Sequence, residues 1–435
     1  MTFRLTSAGA TATKNGCRNR LSPADRPAHD WYRFVLSFPP HLVREYLERF
    51  EVRRGHTVLD PFCGTGTTLV ECKKLGIRSI GIEAHPMAHF ASEVKTDWQV
   101  NPDRLLQNAE LVAAAARRRI AYLGVCSADS PGLRTLPAEG SEILLRDSIS
   151  PLPLHKSLVL LDSLFEIGDR GCRRHELLAL AATLVFDVSN LHFGPEVGVR
   201  GHKDNAAVVS SWMRRVRRMA QDLRLLRGKR RASSRAHLAD SRQVQQAVAP
   251  QAVDAVITSP PYPNEKDYTR TTRLESVVLG FIRDREGLRH LKQGLLRSNT
   301  RNVYKQDQDD RWVDHFPQVQ RLAEAIENRR VQLGKTSGFE RLYHRVARLY
   351  FGGMARHLAE LRTVLRPGAR LAYVVGDQAS YLRVMIRTGE LLGQIAQSLG
   401  YEVLGRDLFR TRLATATREQ LREEVLLLHW AGRAV

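Results

Sequence analysis

The amino-acid sequence predicts a mixed α/β fold built on a doubly wound, mostly parallel sheet of seven strands. Three observations favour this class. Short apolar runs alternate with helical patterns along the chain, two of these runs end in glycine- or proline-rich loops, and the last two runs lie close together in sequence. Such alternation is typical of a parallel sheet covered by helices on both faces, with ligands bound at the carboxyl ends of its strands.

The predicted elements follow one another in this order. Strands are expected at 57–60, 78–83, 236–239, 253–258, 370–376, 402–408 and 424–430, and the clearest helices at about 69–75, 341–365 and 383–399. The last two strands are near enough in sequence to form an antiparallel pair, whereas the earlier strands are separated by the long connections that parallel pairing requires.

A glycine-bearing loop follows the first predicted strand. Residues 57–68 read T-V-L-D-P-F-C-G-T-G-T-T, in which Gly64 and Gly66 allow backbone angles and a ligand approach that a Cβ would block. Glu83 ends the next strand, where a carboxylate can accept hydrogen bonds from both ribose hydroxyls of a nucleoside. Because the loop lacks the third glycine of a dinucleotide site and the lysine of a P-loop, we expect a cofactor with a ribose but no phosphate. S-adenosylmethionine fits, with Asp60 near its amino-acid end; a plain strand-to-helix turn is the alternative.

The fourth predicted strand runs directly into S-P-P-Y at residues 259–262. Ser259 precedes a proline and is therefore extended, and the rings of Pro260 and Pro261 fix the next two φ angles near about −65°. The Ser259 hydroxyl and the Pro260 carbonyl can accept hydrogen bonds from an amino group, while Tyr262 offers a flat face for stacking. Two such bonds draw an aromatic amine towards tetrahedral geometry and free its lone pair, so no protein nucleophile is needed. The alternative is an ordinary turn that ends a strand.

Together the two motifs resemble the motif pair of amino-directed DNA methyltransferases. The serine before the two prolines resembles the motif of the cytosine-N4 branch rather than that of the adenine-N6 branch. Further segments resemble family blocks in a consistent order: S-F-P-P-H-L-V-R-E-Y at 37–46, L-A-D-S-R at 238–242, R-P-G-A-R-L-A-Y-V-V-G-D at 366–377, and a final strand at 423–430. The order of the two blocks departs from that of many cytosine-N4 enzymes. In those enzymes the catalytic block precedes the cofactor block, whereas in this chain the cofactor block comes first.

The resemblance implies a seven-stranded S-adenosylmethionine methyltransferase sheet with two largely helical insertions, acting on double-stranded DNA without a metal. The implied catalytic residues are Ser259, Pro260, Pro261 and Tyr262. The implied cofactor residues are Asp60, Pro61, Phe62, Gly64, Thr65, Gly66, Thr67, Glu83 and Asp240. Adenine-N6 methylation, methylation of a base amine in tRNA, and a non-catalytic nucleic-acid-binding role are the alternatives.

The predicted organisation is one catalytic domain with two insertions. It comprises a disordered tail at 1–25, a cofactor-binding part at 26–96, a basic helical insertion at 97–236, a catalytic part at 237–262, a target-recognition insertion at 263–340 and a C-terminal part of the methyltransferase domain at 341–435. A transit peptide is the alternative for the tail, whose residues are rich in Ser, Thr, Ala and Arg.

The charge of the chain favours a polyanionic partner. The net charge is +21 and the isoelectric point is near 10.3, as expected of a surface whose Lys and Arg contact phosphates, although an arginine-rich proteome also gives basic proteins. The candidate DNA-binding residues are Arg214, Arg215, Arg217, Arg218, Lys229, Arg230 and Arg231 in the first insertion and Lys266, Asn299 and Arg301 in the second. A solvated helix face and ordinary polar loops are the alternatives.

Cysteine usage and hydropathy exclude several classes of protein. Cys17, Cys63, Cys72, Cys126 and Cys172 show no metal-ligand or disulfide spacing. None of them follows a proline, which argues against carbon-5 cytosine methylation. No apolar run approaches the length of a membrane span. We therefore expect a cytoplasmic, nucleoid-associated enzyme, with a cognate restriction endonuclease as its partner if it serves a restriction-modification system.

Overall fold

The structure is a computed structural model that describes residues 21–34, 37–194, 196–229, 232–264, 266–413 and 420–432. Nine strands occur in these ranges: β1 (Thr57–Asp60), β2 (Arg78–Glu83), β3 (Leu191–Phe193), β4 (Val197–Val199), β5 (Ser234–Leu238), β6 (Val253–Thr258), β7 (Leu365–Gly376), β8 (Glu402–Leu413) and β9 (Gln420–Trp430). Seven of them form one sheet in the order β5-β2-β1-β6-β7-β9-β8, and β3 pairs with β4 in a separate hairpin.

The predicted doubly wound sheet is confirmed. β5, β2, β1, β6 and β7 run parallel to one another. β9 pairs antiparallel with both β7 and β8, as expected for the last two strands. The central neighbours β1 and β6 pair Val58 with Ala255 and Leu59 with Val256. Because these two strands are parallel, the loops at their carboxyl ends lie at the same edge of the sheet.

Fifteen helices accompany the strands in the described part of the chain. They are α1 (Arg26–His29), α2 (Pro40–Arg49), α3 (Thr67–Leu75), α4 (Pro86–Thr96), α5 (Pro102–Leu123), α6 (Ala138–Glu142), α7 (Pro151–Glu166), α8 (Arg173–Thr183), α9 (Val208–Leu226), α10 (Tyr268–Thr271), α11 (Arg273–Val278), α12 (Arg285–Gly294), α13 (Pro317–Gln332), α14 (Tyr343–Leu361) and α15 (Thr388–Ser398). None of the helices within the described ranges has the length and apolar character needed to span a bilayer.

Both faces of the sheet are buried, because successive side chains of a strand point to opposite faces. Leu59 and Val256 belong to a core that includes residues of α14 and α15. Val58, Ala255 and their neighbours on the other face belong to a core shared with α2. Helices therefore cover the sheet on both sides, and the strand ends are left to form a site.

The two predicted insertions share apolar cores with each other and with the helices of the predicted cofactor-binding part. Residues of α5, α7, α8 and α9 pack with residues of α4 and α11, so the first insertion contacts both the cofactor part and the second insertion. A smaller cluster joins Ile143 to Val277, Ile282 and Leu291. The Arg273 side chain donates through Nη1 to the Ile143 carbonyl, 2.9 Å away. The insertions are thus connected to each other.

The structure differs slightly from the predicted boundaries. β5 begins at Ser234, inside the range 97–236 that we assigned to the first insertion. Within the predicted tail, residues 1–20 lie outside the described part of the chain, while Pro23–Asp25 forms a 3₁₀ turn. Asp25 accepts a hydrogen bond from Arg44 of α2 at 2.8 Å. The end of the predicted tail is therefore tied to the first long helix.

Candidate active site

A cavity of about 660 Å³ opens at the carboxyl ends of the parallel strands, and both sequence motifs line it. Gly64 and Glu83 lie on one side, and Ser259 and Tyr262 lie on the other. The volume is in the range of about 300–1,000 Å³ that small-ligand sites occupy. The two loops, nearly two hundred residues apart in sequence, meet because β1 and β6 are adjacent in the sheet.

Most of the predicted cofactor residues line this cavity. They are Pro61, Phe62, Gly64, Thr65, Thr67, Glu83 and Asp240. Asp60 and Gly66 do not line it. Both residues support the loop instead: Asp60 through hydrogen bonds beneath it, and Gly66 through close packing on α4.

Asp60 is fully buried beneath the loop. Its Oδ1 accepts hydrogen bonds from Thr258 Oγ1 at 2.6 Å and from the Phe62 backbone N–H at 3.2 Å. Burial raises the pKa of the carboxyl to about 6. The residue was predicted to lie near the amino-acid end of the cofactor. In the structure it joins the end of β6 to the loop between β1 and α3, which we call the cofactor loop.

The two glycines of the loop have different surroundings. Gly64 has a φ of +51°, and a Cβ added to it would meet nothing within 4 Å. Gly66 has a φ of +83°, and a Cβ there would lie 3.0 Å from Ser92 Cβ on α4. Both positions need the left-handed conformation that favours glycine. Gly64 leaves space in the cavity, whereas Gly66 lets the start of α3 pack closely on α4.

Glu83 ends β2 with its carboxylate held by the backbone. Oε2 accepts from the Gly64 N–H at 2.9 Å, and Oε1 accepts from the His85 N–H at 2.7 Å. A carboxylate has about four acceptor positions, so each oxygen retains capacity for a further hydrogen bond. Burial raises the pKa of Glu83 to about 7. The carboxylate therefore keeps the acceptor capacity that two vicinal hydroxyls would need.

Asp240 lines the cavity but is already engaged by an arginine. Arg242 donates from Nε to Asp240 Oδ1 at 3.0 Å and from Nη2 to Oδ2 at 2.6 Å. The same guanidinium contacts Asp309. Paired donors of this kind give strong, directional bonds. The carboxylate predicted beside the adenine is therefore part of an Asp240–Arg242–Asp309 group in which Arg242 and Asp309 are buried.

The S-P-P-Y corner faces the cofactor loop across the cavity. Ser259 Oγ donates its hydrogen to the Val374 carbonyl at 3.1 Å, which leaves the oxygen free to act as an acceptor. The Tyr262 ring packs against β7, since a Cβ added to Gly376 would lie 3.0 Å from Tyr262 Cε2. Burial raises the pKa of Tyr262, so its hydroxyl stays protonated at neutral pH. The corner offers oxygen acceptors beside an aromatic ring.

Lys95 is a buried cation beneath the cofactor loop that the sequence analysis missed. Its side chain belongs to α4 and is 1% exposed. The nearest polar partner is Thr65 Oγ1, 3.5 Å from Nζ. No described carboxylate lies within ion-pair distance of it. Burial, together with the nearby Lys74 charge, lowers the pKa of the ammonium to about 7. A single lysine inside a helix gives no signal in the sequence, because its burial is a property of the fold.

The cavity mouth carries further side chains that sequence reasoning missed. Arg410 on β8 makes two hydrogen bonds to Glu423 on β9, at 2.6 and 2.8 Å. The two residues lie opposite each other in the β8–β9 register. Arg412 and Glu196 also line the cavity, and Glu196 comes from the loop of the β3–β4 hairpin. Arginines at alternate positions 410 and 412 were a signal for a basic strand face in the sequence. Only the pairing of β8 with β9 determines that Glu423 is their acidic partner.

The predicted DNA contacts of the second insertion have three different environments. Lys266 lines the cavity. Asn299 has no exposed surface, because its side-chain nitrogen donates to the Lys266 carbonyl at 3.1 Å and its oxygen accepts from the Arg301 N–H at 3.0 Å. Asn299 thus supports its own turn, and the geometry does not favour the predicted contact with DNA. Arg301 lines a neighbouring groove.

The basic face predicted on α9 is less free than the sequence suggests. Arg215 pairs with Asp187 at 2.6 Å, and Arg218 pairs with Asp222 at 3.5 Å. The structure thus brings an acid from outside the helix to its basic face. Arg214, Arg217 and Lys229 are exposed, and Arg230 and Arg231 lie outside the described residues. No described residue of α9 lines the cavity.

Comparison with known proteins agrees with this geometry. A family model described as DNA methylase, for N6- and N4-directed enzymes, matches residues 15–93. The Type II methyltransferase M.BsoBI of Geobacillus stearothermophilus is 26% identical over 411 residues, which cover 86% of this chain and 78% of that protein. The Type II methyltransferase M.AvaI of Nostoc sp. is 23% identical over 406 residues, which cover 87% of this chain and 80% of that protein.

Among solved structures, TrmN from Thermus thermophilus aligns with 93% of this chain and 52% of its own at 14% identity, with a TM-score of 0.29. Within the described residues, no group of three or more His, Cys, Asp or Glu side chains could hold a metal ion. The cavity joins the glycine-bearing loop to the S-P-P-Y corner. The family model covers the loop, and each of the two alignments covers more than four-fifths of the chain. S-adenosylmethionine is the methyl donor that they imply. The chain is therefore similar to Type II methyltransferases along most of its length, and its residues 15–93 match the model of N6- and N4-directed DNA methylases.

Proposed function

We propose that the protein is a site-specific DNA methyltransferase that transfers a methyl group to the exocyclic N4 amine of cytosine. The observation that carries this proposal is the shared cavity, in which the Ser259 hydroxyl and the Tyr262 ring face the loop at Gly64 and the carboxylate of Glu83. Serine at the first position of the corner favours cytosine N4, because the motif resembles that branch of the family.

The cofactor half of the cavity fits S-adenosylmethionine. Gly64 leaves room where a Cβ would project, and Glu83 retains acceptor capacity for two ribose hydroxyls. Thr65 offers its hydroxyl to an amino-acid carboxylate, and the buried Lys95 ammonium, 3.5 Å from Thr65 Oγ1, supplies positive charge behind it. When bound, this cofactor supplies an electrophilic methyl group. The protein residues then have to position the acceptor amine and exclude water.

The other half of the cavity fits a base that has left the DNA helix. Enzymes that modify a base amine must extrude the nucleotide, and the flipped base is held by stacking and by hydrogen bonds to its edge. Tyr262 supplies the stacking face. Ser259 Oγ, whose own hydrogen is given to the Val374 carbonyl, accepts one amine hydrogen, and the Pro260 carbonyl accepts the other. These bonds localise the lone pair on the amine nitrogen, which is the nucleophile.

Mass spectrometry of modified nucleosides tests the proposal. Genomic DNA from cells that express the protein is digested to nucleosides and compared with DNA from cells that express Ser259→Ala. We expect N4-methyldeoxycytidine only with the unmodified protein. N6-methyldeoxyadenosine would overturn the assignment of the base, and methylated nucleosides in tRNA alone would overturn the assignment of the polymer.

A restriction-modification role is the biological setting that we propose. The similar proteins M.BsoBI and M.AvaI are both named Type II methyltransferases. Methylation at one sequence should then protect DNA from an endonuclease with the same target. Sequencing that detects modified bases gives the methylated motif, and an endonuclease that cuts this motif should fail on DNA from expressing cells. Methylation scattered over unrelated sequences would contradict site specificity.

A further inference from the structure

A second, open groove of about 520 Å³ lies between the two insertions. The segment after α6, the strand β4, the helices α10 to α12 and the turn at Thr300–Asn302 form its walls. Its charged lining residues are Arg146, Arg270, Arg273, Lys292, Arg301 and Asp267. Five cations thus line the groove with a single lining carboxylate, and one of them, Arg146, lies 3.7 Å from Asp147 outside the lining.

The one acid in the groove does not neutralise this charge. Asp267 pairs with Lys292 at 2.9 Å. Arg270, Arg273 and Arg301 have no carboxylate within 4 Å among the described residues, and Arg270 Nε is buried without a hydrogen-bond partner. The guanidinium of Arg273 is satisfied only by neutral oxygens, including the Thr269 carbonyl at 3.1 Å and Thr269 Oγ1 at 2.8 Å.

The cations of the groove cost folding free energy, and a bound anion would offset that cost. Arg273 is 8% exposed, so its charge has lost most of its hydration, while the nearby carboxylate of Asp267 already pairs with Lys292. Cations that are partly desolvated and close to like charges are costly, and proteins usually pair them. Several arginines that converge on one open groove match the charge and the donor geometry needed for phosphate oxygens.

The groove directly adjoins the active-site cavity. Three chain segments line the cavity with one residue and the groove with a residue one or two positions away. The pairs are Lys266 with Asp267, Asn302 with Arg301, and Glu196 with Gly198. Neighbouring Cα atoms are about 3.8 Å apart, so the groove begins within a nucleotide's length of the proposed base site. A nucleotide in the cavity would have its own phosphates at this boundary.

We propose that this groove binds the phosphodiester backbone of the DNA strand that carries the target base, immediately beside the flipped nucleotide. The inference rests on the proposed function and adds the path of the substrate to it. It places the main phosphate contacts between the two insertions rather than on α9, where Arg215 and Arg218 already have acidic partners. Arg270 and Arg301 are the residues that we expect to contact phosphate.

The test measures DNA affinity and its salt dependence by fluorescence anisotropy. A 30-base-pair duplex is titrated with the full chain and saturating S-adenosylhomocysteine at several KCl concentrations. Arg270→Ala and Arg301→Ala should each weaken binding by about five- to tenfold and lower the slope of log affinity against log salt by about 0.9, the value for one lost phosphate contact. Calorimetric binding of S-adenosylhomocysteine by each variant checks that the fold is intact.

One arginine outside the groove is the matched control, and a second tests the alternative contact on α9. Arg285 begins α12, is exposed and pairs with Glu142 at 3.3 Å, while Arg217 is exposed on α9. Arg285→Ala should change affinity less than twofold, and Arg217→Ala should lose less affinity than either groove variant. A larger loss with Arg217→Ala than with Arg270→Ala and Arg301→Ala would overturn the proposal, as would unchanged affinity and salt slope in both groove variants.

The same samples separate failure of this inference from failure of the proposed function. Methylation of the duplex is assayed in parallel with the unmodified protein. If methylation is present and the groove variants bind DNA normally, only the groove proposal is overturned. If the unmodified protein neither methylates nor binds the duplex but binds an RNA hairpin, both proposals are overturned. Ser259→Ala should retain the salt slope of DNA binding, because that residue contacts the base and not a phosphate.

Discussion

At the residue scale, the hydroxyl of Ser259 has the most specific environment in the site. It donates to the Val374 carbonyl and so presents only lone pairs to the cavity. A threonine or alanine at this position would change either the space or the acceptor, whereas a turn that merely ended the strand would tolerate both. The side chain can therefore be tested without disturbing the loop that holds the cofactor.

Ser259→Ala should reduce methyl transfer by about 10²- to 10³-fold, the usual loss when one preorganised hydrogen-bonding group is removed. Binding of S-adenosylhomocysteine, measured by calorimetry, should change less than twofold because the residue faces the base. Ser337→Ala, a substitution of an exposed serine far along the chain from either motif, should leave both quantities unchanged. Near-normal transfer by Ser259→Ala would contradict the role of the corner.

The pKa values of Lys95 and Glu83 predict that cofactor affinity depends on pH with a bell-shaped profile. Burial brings the pKa of each group to about 7 in the free protein, from above for Lys95 and from below for Glu83. A bound carboxylate favours protonated Lys95, so affinity should fall as pH rises above 7. Ribose hydroxyls favour ionised Glu83, so affinity should fall as pH drops below 7.

Calorimetric titration with S-adenosylhomocysteine between pH 5.5 and 9 measures this profile. Lys95→Met should remove the alkaline decline and weaken binding, and Glu83→Gln should remove the acid decline. An analogue without the carboxylate should show no alkaline decline even with the unmodified protein. If Lys95→Met binds this analogue and S-adenosylhomocysteine with equal losses, Lys95 serves only the fold.

At the scale of elements, the cofactor loop depends on two glycines for two reasons. Gly64 and Gly66 both have positive φ angles, but only Gly66 packs against α4. Gly124, which ends α5 with a φ of +59° and open space around it, has the same backbone requirement without either neighbour. Substitutions at these three positions therefore distinguish the effects of backbone strain at Gly124, helix packing at Gly66 and ligand contact at Gly64.

Gly124→Ala should cost about 1–2 kcal/mol of unfolding free energy, the cost of a left-handed alanine. Gly64→Ala should cost a similar amount and also weaken cofactor binding by at least tenfold, because Gly64 lines the cavity and the added Cβ would occupy open space beside it. Gly66→Ala should destabilise the protein most, since its Cβ would meet Ser92 at 3.0 Å. Urea unfolding and calorimetry provide the two measurements. Equal stability losses at all three positions would contradict the packing role of Gly66.

At the scale of the whole molecule, the two insertions are one structural unit with the sheet. The cluster of Ile143, Val277, Ile282 and Leu291 joins segments from both insertions, and it also supports the wall of the basic groove. The path of the DNA should therefore depend on packing between parts of the chain that are more than a hundred residues apart.

A double-mutant cycle measures that coupling. Ile143→Ala and Ile282→Ala should each lower the free energy of unfolding by about 2–4 kcal/mol, and the double variant should lose at least 0.5 kcal/mol less than the sum. The control pair is Ile143→Ala with Leu392→Ala, since Leu392 belongs to the core on α15 and its loss should be additive. Additive losses in the first pair would show that the insertions fold independently.

The sequence by itself determined the sheet, the two loops and the side chains that face each other across the cavity. Alternation of strands and helices requires a parallel sheet, and parallel strands bring their carboxyl ends to one edge, so Gly64 and Ser259 could be placed together from pattern alone. Glu83 was predictable for the same reason, because it is the last residue of a neighbouring strand.

Only the tertiary structure decided which charges are free. Asp240, a predicted ligand residue that lines the cavity, also accepts hydrogen bonds from Arg242, and Arg215 on α9 pairs with Asp187 from another segment. The burial of Lys95 and the unpaired arginines of the groove are likewise invisible in the sequence. Local pattern specifies backbone conformation, whereas the environment of a charge depends on every segment that packs around it, and those contacts exist only in the folded chain.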